Sequence, residues 1–324
     1  MNISHSRVCS YLSCPYSHYL RYIECLEANK PCRPLSFGSD FHKLLELRAR
    51  PEELAVAKQE ITRKYYEDLK PKYQEELGED YLWDLSNIFH DYQEIYKDAP
   101  IPTKTEQEFR IPMATYKGEK IYFKGIIDEL YLYKSKSTGK KRIKVGEHKT
   151  FNRKPDMAML VMNQQKCLYA KAVEHMYGML PESVIWDYIH STPAEEPIWL
   201  EKSQRFSSSK NQKITPYSWR RACEKRKITD EGILAEGDKY AENLPNFFFR
   251  VEQDYIPGMI DDIWEGFKYT SKQIVKCGHE NKTKHITPNC SWCAYQPICY
   301  AELTGADRGY VIDKEFEHYE RKED

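Results

Sequence analysis

Two carboxylates and one amine in the middle of the chain have the chemistry for metal-assisted hydrolysis. Asp128 and Glu147 offer oxygen ligands of the kind that Mg²⁺ and Mn²⁺ prefer. A divalent cation between them would lower the pKa of a water molecule and offset the charge of a phosphate under attack. Lys149 follows Glu147 by two residues and could orient that water or stabilise developing negative charge. Because Glu-x-Lys is a common sequence, ordinary salt-bridging residues near a strand end are the alternative interpretation.

A β-hairpin is expected to bring these three residues together. Residues 121–133 and 142–150 are rich in β-formers and predict two strands, and the polar stretch 134–141 predicts the loop between them. Because side chains alternate along a strand, the glutamate and the lysine share one face that begins apolar. The aspartate has the parity of Ile126 and Leu130 on the first strand. Buried acids at these places would be costly without a partner, and a divalent cation would remove that cost.

Further polar side chains could complete a site around the hairpin. His42 lies near the start of a predicted helix, where a neutral imidazole could bind a metal, although a capping or surface histidine is the alternative. Gln165 and Tyr169 are spaced i, i+4 on a predicted helix, so they project together or form one polar edge of a packing helix. Glu108 precedes a short predicted strand and could add a carboxylate or be a solvated charge.

The elements around the hairpin predict an α/β fold in one domain over residues 1–324. We expect a mixed central sheet flanked by helices in a catalytic core over 105–190, with a helical insertion over 51–100 and a basic insertion over 200–245. The remaining predicted elements are a helix from Ser39 or Asp40 to Leu47, two or three helices within 51–98, a short strand at 109–111, one helix over 156–177, strands at 184–190 and 246–250, and a helix over 257–276.

The order of these features resembles the RecB-like clade of PD-(D/E)XK nucleases. That clade includes the RecB and AddB nuclease domains, phage exonucleases and the CRISPR-adaptation nuclease. The resemblance runs from about Ser4 to Cys299, with gaps. The motifs that carry it are, in order, Gly38 to His42, Glu108, Gly125-Ile126-Ile127-Asp128, Glu147-His148-Lys149 and Gln165-Lys166-Cys167-Leu168-Tyr169.

The resemblance implies a restriction-endonuclease-like core in which the matching residues hold the metal, act on the phosphate or contact the DNA. Among the carboxylates, Glu106 is as well placed as Glu108 for the position before the hairpin. The implied ligands of Mg²⁺ or Mn²⁺ are His42, Asp128, Glu147 and the backbone carbonyl of His148, and the implied catalytic or DNA-contacting side chains are Lys149, Gln165, Tyr169 and Glu108.

Three cysteines near the end of the chain have the spacing of a metal or cluster site. Cys290, Cys293 and Cys299 form a C-x₂-C-x₅-C pattern, whose short loops let thiolates converge. Cys14, in a Cys-Pro pair near the start, is the best candidate for a fourth ligand, and Cys9 is its rival. Four thiolates suit structural zinc as well as an iron–sulfur cluster, and spacing does not separate the two.

Some members of the same nuclease clade carry a [4Fe–4S] cluster that clamps the two ends of the chain together. This chain resembles them in its early Cys-Pro pair and its late cysteine triple, so the resemblance favours iron–sulfur over zinc. We expect a structural clamp made by residues 285–300 with Cys14. The simplest interpretation of the other cysteines is that they are free, partly buried thiols. These are Cys25, Cys32, Cys167, Cys223 and Cys277.

The formal net charge of -1 does not indicate a polyanion partner, so any DNA surface must be a local concentration of cations. A basic block around 210–227 is interleaved with aromatic side chains, as in single-strand binders, but a solvated basic helix face is an equal alternative. An arginine at the end of the apolar run 246–250 could also reach a phosphate. The candidate DNA contacts are Lys210, Lys213, Tyr217, Trp219, Arg220, Arg221 and Arg250.

Together these features predict a metal-dependent exonuclease of single-stranded DNA or DNA ends. From the resemblance we expect 5′ to 3′ polarity, a role in recombination, repair or phage DNA metabolism, and a helicase or recombination protein as partner. An endonuclease or a CRISPR-adaptation-type nuclease is the alternative within the class, and a non-catalytic DNA-binding scaffold is the alternative outside it. Because no apolar signal core or run of roughly 20 apolar residues is present, we expect a cytoplasmic protein without a membrane partner.

Overall fold

A six-stranded mixed sheet lies at the centre of the computed structural model, which describes residues 1–68, 71–209 and 211–320. Two smaller two-stranded sheets lie outside it. In this described part the strands are β1 (Asn2–Ile3), β2 (Leu26–Ala28), β3 (Lys104–Tyr116), β4 (Glu119–Lys134), β5 (Lys141–Phe151), β6 (Ser183–His190), β7 (Trp199–Leu200), β8 (Arg205–Phe206), β9 (Phe248–Asp254) and β10 (Phe316–His318).

Helices surround the central sheet and account for most of the remaining described chain. Among these helices, none is both long and apolar enough to cross a membrane. They are α1 (His5–Ser13), α2 (Pro15–Tyr22), α3 (Arg33–Glu46), α4 (Pro51–Arg63), α5 (Pro71–Leu77), α6 (Tyr81–Ile95), α7 (Met157–Val161), α8 (Gln164–Tyr177), α9 (Pro216–Lys225), α10 (Glu231–Ala235), α11 (Pro257–Cys277), α12 (Gln296–Thr304) and α13 (Arg308–Glu315), with a π-helical turn at Lys64–Asp68 and 3₁₀ helices at Glu236–Asn246 and Pro288–Trp292.

The central sheet is mixed because its neighbours run in both directions. β4 pairs antiparallel with β3 along one edge, and its other edge pairs first with β1 in parallel and then with β5 antiparallel. β6 pairs in parallel with β5 and antiparallel with β9. A parallel pair needs a crossover connection, and α7 and α8 supply it between β5 and β6. The predicted α/β class with a mixed sheet and flanking helices is confirmed, and it is consistent with a restriction-endonuclease-like fold.

Two separate apolar cores hold helices against this sheet. The main core joins strands β3 to β6 to α8 and α11, and Trp186 and Leu168 are among its fully buried members. The second core joins α3, α4 and α6 to the ends of β6 and β9 through Phe41, Phe89 and Phe248. The residues predicted as a helical insertion over 51–100 therefore form a packed layer together with α3.

The start of α3 and the length of β3 differ from the predictions. The helix begins at Arg33 rather than at Ser39 or Asp40, because the fixed φ of Pro34 suits a first helical turn. Asp40 lies inside the helix and accepts a hydrogen bond of 2.6 Å from the Tyr81 hydroxyl. The short strand expected at 109–111 is the middle of the 13-residue strand β3.

The single helix expected over 156–177 is also wrong, since two helices occupy that segment. The first is α7, which ends at Val161, and the second is α8, which begins at Gln164. Asn163 separates them because its side chain accepts the backbone N–H of Lys166 at 3.1 Å and so caps α8. This break places an extra short helix between β5 and α8.

The first and last parts of the chain pack against each other. β2 and β10 pair antiparallel, with Leu26 opposite His318. Between them Tyr16, Leu20, Ile298 and Phe316 form a small apolar core that joins α2 to α12. The two chain segments that carry the predicted cluster ligands are therefore held together by ordinary packing.

Candidate active site

The candidate site lies where strands β4 and β5 separate. Their ladder runs from Lys134 opposite Lys141 to Glu129 opposite Gly146 and goes no further, whereas β5 continues beside β6 as far as Phe151. The backbone N–H groups of β5 that face this gap need new partners. Asp128 supplies one, since its Oδ2 accepts the backbone N–H of His148 at 2.8 Å.

Three potential metal ligands converge at this gap. One ligand atom each from His42, Glu106 and Asp128 lies within 4.8 Å of the others. Nδ1 of His42, on α3, is 3.7 Å from Oδ2 of Asp128. Burial, reinforced by the charge of His148, lowers the pKa of His42 to about 4, so its imidazole is neutral and keeps a lone pair for a cation.

Glu106 occupies the position for which the sequence predicts Glu106 and Glu108 equally. The pairs on either side of it, Thr105 with Glu129 and Gln107 with Ile127, place it opposite Asp128 in the sheet. Burial and the nearby charge of Asp128 raise the pKa of Glu106 to about 7. The assignment of Glu108 is wrong, because its side chain is exposed and pairs across the sheet with Ile126, away from the three ligands.

Glu147 and Lys149 lie beside these three ligands and are held by α8. Lys149 Nζ donates to Glu147 Oε1 at 2.5 Å and to Gln165 Oε1 at 3.2 Å. Gln165 Nε2 in turn donates to Glu147 Oε1 at 2.8 Å and to the Tyr169 hydroxyl at 2.9 Å. The i, i+4 spacing of Gln165 and Tyr169 thus places both on one face of α8, and Gln165 links them to the acid and the amine.

The charge states of the acid and the amine follow from their surroundings. Burial and the charge of Asp128 raise the pKa of Glu147 to about 7, although Lys149 opposes this shift. Burial alone would lower the pKa of Lys149, but the contact with Glu147 and the charge of Asp128 outweigh it and raise that pKa. Lys149 is therefore protonated, and its side chain remains 36% exposed at the mouth of the site.

The donor set fits a divalent cation. Three carboxylates gather around one protonated amine and one neutral imidazole, which leaves excess negative charge in a mostly buried place. Oε2 of Glu147 is buried and lacks any hydrogen-bond partner, a costly state that a cation would relieve. Oxygen ligands with one imidazole suit Mg²⁺ or Mn²⁺. His42, Glu106 and Asp128 could hold such an ion, with Glu147 beside it.

One part of the sequence argument for Asp128 does not hold. Ile127 and Leu130 both belong to the main core although they are three residues apart, and Ile126 is 43% exposed. The strand therefore does not alternate regularly through Asp128 and Glu129. Asp128 reaches the site because the β4–β5 ladder ends at Glu129, and not because it continues a buried face.

Sequence reasoning missed a set of buried charges directly behind the site, which we call the ion network. The His148 ring lies between two acids, with Nε2 3.0 Å from Glu129 and Nδ1 3.1 Å from Asp187. Arg48 contacts Glu129 at 2.9 Å and Arg250 contacts Asp187 at 3.0 Å. The network consists of Arg48, Tyr92, Glu129, Tyr131, His148, Asp187 and Arg250.

The ion network fixes the strand that carries the site. Burial alone would lower the pKa of His148, but Glu129 and Asp187 raise it to about 10, so the ring is a cation. The same residue donates its backbone N–H to Asp128. The resemblance implies that the backbone carbonyl of His148 binds the metal. That prediction concerns a different atom from the side chain, which anchors the residue in the ion network.

A comparison with known protein families bears on this arrangement. A family model described as the PD-(D/E)XK nuclease superfamily matches residues 2–300. The chain belongs to this superfamily. Membership indicates a nuclease, that is, a hydrolase with DNA as its substrate, and nucleases of this superfamily typically use divalent metals.

Two other comparisons are less informative than the family match. None of the curated proteins matches the sequence. A solved structure titled "Crystal structure of SSO0001" is similar to this chain, with 13% identity, coverage of 82% of this chain and 85% of that chain, and a TM-score of 0.33.

The four cysteines expected to act together line one cavity of this PD-(D/E)XK nuclease. The cavity measures about 260 Å³ and is bordered by Cys14, Cys290, Cys293 and Cys299. Burial raises the pKa of Cys299 to about 11, and the neighbouring Cys293 and Cys14 add to that shift. Cys9 does not border the cavity, since it is exposed and its Sγ lies 3.3 Å from Nε2 of His5.

Five of the predicted DNA contacts lie in a separate small unit: Lys213, Tyr217, Trp219, Arg220 and Arg221. Residues 199–209 and 211–240 fold around their own apolar core, which includes Phe206 and Tyr240. The assignment of Trp219 is wrong, because the side chain is fully buried in this core and its Nε1 donates to the Ile233 carbonyl at 2.8 Å. Lys210 lies outside the described residues.

The arginines proposed as DNA contacts are largely engaged with acids. Arg221 forms an ion pair with the buried Asp91 of α6, which holds the small unit against the helical layer. Arg220 pairs at the surface with Asp238, at 3.3 Å. The assignment of Arg250 is also wrong, since that side chain belongs to the ion network. Lys213 is exposed and Tyr217 is half-buried, so these two stay available.

Proposed function

We propose that this protein is an Mg²⁺- or Mn²⁺-dependent exonuclease that hydrolyses single-stranded DNA from its ends. The observation that carries the proposal is the convergence of His42, Glu106 and Asp128 within 4.8 Å, beside the Glu147–Lys149 pair. A set of ligands with excess negative charge next to a protonated amine is what phosphodiester hydrolysis needs. His42, Glu106 and Asp128 would hold the cation, and Glu147 would complete the set.

The reaction adds water to phosphorus and breaks the bond from phosphorus to one sugar oxygen. The bound cation would supply charge neutralisation at the phosphate and acidify the attacking water. Lys149 is placed to stabilise the negative charge that develops on the phosphate oxygens. Gln165 keeps Lys149 and Glu147 in their positions through both ends of its amide, and Tyr169 holds that amide. The ion network keeps β5 and Asp128 in place.

The choice of an exonuclease with 5′ to 3′ polarity, and of a role in recombination, repair or phage DNA metabolism, is supported by the order of the motifs, which resembles the RecB-like clade. Digestion of linear and circular single strands tests it. We expect a linear strand labelled at its 3′ end to shorten from the 5′ end, and a circle to stay intact. Cleavage of the circle would instead favour an endonuclease.

Lys149→Ala tests the catalytic assignment directly. We expect wild-type protein to cleave a labelled strand only with Mg²⁺ or Mn²⁺ present, and the variant to be slower by about 100-fold or more, because a positioned donor to a developing oxyanion is lost. Lys141→Ala, an exposed lysine at the other end of β5, is the matched control and should stay within about twofold of wild type. Equal rates for wild type and Lys149→Ala would leave a DNA-binding scaffold as the better assignment.

We further propose that the cavity lined by the four cysteines holds a [4Fe–4S] cluster. A zinc ion bound by four thiolates keeps their sulfurs about 3.8 Å apart, as follows from tetrahedral bonds of about 2.3 Å. Among the described residues, no three of these cysteines bring their sulfurs within 4.8 Å of one another. A cubane cluster suits this wider arrangement, because each thiolate binds a different iron. Such a cluster would strengthen the packing between α2 and α12.

The colour and metal content of anaerobically purified protein test the cluster. We expect a brown sample with a broad absorbance band at about 400 nm. It should contain about four iron atoms and four sulfide ions per chain. Cys290→Ser should lose the colour and melt at a lower temperature, because the cluster's bonds contribute to folding. Cys32→Ser, an exposed cysteine elsewhere, should retain both. A colourless wild-type protein that contains zinc would contradict the proposal.

A further inference from the structure

The short helix α7 exposes an unusual run of apolar side chains beside the candidate site. Three methionines and one valine of the segment from Met157 to Met162 are between 39% and 58% exposed. Contiguous exposed apolar groups are rare on a protein surface unless they bind something. The exposed side chains are Met157, Met159, Val161 and Met162.

These side chains are held outward by a fixed helix. The Asp156 side chain accepts the backbone N–H of Ala158 at 2.9 Å and caps the start of α7. Leu160 is 5% exposed and anchors the helix in the main core, together with Phe151 and Tyr169. Asn163, three residues after Leu160, caps α8. The methionines are therefore presented to solvent by an ordered support.

The position of α7 ties this apolar surface to the reaction centre. Phe151 is the last residue of β5, two residues after Lys149, and Leu160 packs in the same core as Phe151. Gln165 lies in the first turn of α8, which begins three residues after α7 ends. The apolar surface thus lies between the two chain elements that hold the acid, the amine and the amide of the site.

Two exposed cations precede the apolar surface. Arg153 and Lys154 lie in the loop from β5 to α7, and Lys154 Nζ lies 3.2 Å from the side chain of Asn246. Cations next to apolar groups match a nucleic-acid strand, whose phosphates lie on one side and whose bases lie on the other. Methionine suits any base, because its flexible thioether adapts to the shape of what it contacts.

We propose that α7 is a binding surface for the unpaired bases of the DNA strand whose phosphates enter the site, with Arg153 and Lys154 at the adjoining phosphates. The inference rests on the proposed nuclease function and specifies its substrate as a strand with unstacked bases. A protein partner fits less well, because a stable protein interface takes about 20–30 residues a side, and cations directly border this four-residue surface.

The test combines Met157→Ser, Met159→Ser and Met162→Ser in one protein, with Met159→Ser alone as a milder variant. Binding is measured by fluorescence anisotropy in a Lys149→Ala background, on oligo(dT) and on an abasic strand of equal length. We expect the triple variant to bind oligo(dT) about tenfold more weakly and the single variant about threefold, because apolar contact with the bases is lost. On the abasic strand the change should stay under about twofold.

Val56→Ser is the matched control, since Val56 is a 54% exposed apolar residue on α4, and it should leave oligo(dT) binding unchanged. Unchanged oligo(dT) binding, or an equal loss on the abasic strand, would overturn the proposal and point to a protein partner for α7. Because binding needs no cleavage, this comparison decides the proposal even if the wild type cleaves no phosphodiester. That result would contradict only the catalytic assignment.

Discussion

His148→Leu should destabilise the folded protein by about 3–5 kcal/mol and weaken divalent-metal binding by about 10- to 100-fold. The substitution removes a buried cation and leaves Glu129 and Asp187, which are 3% and 2% exposed, facing each other across an apolar side chain. Arg48 still contacts Glu129 and Arg250 still contacts Asp187, but neither replaces the ring that bridges the two acids. Urea unfolding followed by tryptophan fluorescence measures the stability, and calorimetric titration with Mn²⁺ measures the affinity.

The reason for a metal effect is that His148 acts on the site through its backbone. Its N–H holds Asp128, so movement of the ring and of β5 moves a metal ligand. His148→Gln keeps one buried donor and should lose less stability than the leucine variant. His279→Leu, in which an exposed histidine paired with Glu280 at the surface is replaced, should shift stability by less than about 0.5 kcal/mol. An unchanged unfolding midpoint for His148→Leu would show that the ion network does not support the fold.

Several site residues could be predicted because their information is local. Glu147 and Lys149 share a face of one strand, and Gln165 and Tyr169 share a face of one helix, so spacing alone fixes which side chains project together. The structure then joins the two pairs through hydrogen bonds of Gln165 with both members of the strand pair. The hairpin of β4 and β5 is likewise local, and its strands lie within two residues of the predicted bounds.

Glu106 could not be chosen over Glu108 from the sequence because a β-bulge decides it. The turn at Lys117 and Gly118, both with positive φ, sets Tyr116 opposite Glu119. An uninterrupted ladder from that turn would place Gln107 opposite Asp128. The register shifts by one between Pro112 and Ala114, so Glu106 takes that place. A single irregular residue therefore determines which acid joins the site.

The ion network and the burial of Trp219 depend on contacts between distant parts of the chain. Asp187 and His148 are neighbours only because β5 and β6 pair in parallel, and Arg48 comes from the turn after α3, far earlier in the chain. Trp219 lies in a basic, polar stretch, and only folding of the 199–240 unit encloses it. Charge patterns along a sequence do not contain this information, so the basic block alone does not predict that Trp219 is buried or that Arg221 pairs with Asp91.

Divalent-metal affinity should fall by about 100-fold for each pH unit below about 7 and level off above about 8. Glu106 and Glu147 each have a pKa of about 7 in the metal-free protein, raised by burial and by the charge of Asp128. A cation must therefore displace about two protons in acid, and each displaced proton costs about tenfold per pH unit. His42 does not compete in this range because its pKa is lowered to about 4. Titration calorimetry with Mn²⁺ from about pH 5.5 to pH 8 measures the slope.

The same shifts fix how the metal changes stability with pH. The pKa of both glutamates is raised above the value of 4.5 for an unperturbed glutamate, so their contribution to stability is complete below pH 4.5 and is lost as pH rises through about 7. The metal-free fold is therefore weakened in the pH range where the carboxylates are free to bind a cation, and metal should raise the melting temperature more at pH 8 than at pH 5.5.

Glu106→Gln removes one of the two protons and should reduce the affinity slope to about tenfold per pH unit. Glu108→Gln, two residues away on the same strand but exposed, should keep the full slope. Equal slopes for the two variants would show that Glu106 does not bind the ion, and the convergence of His42, Glu106 and Asp128 would then need an explanation other than metal binding.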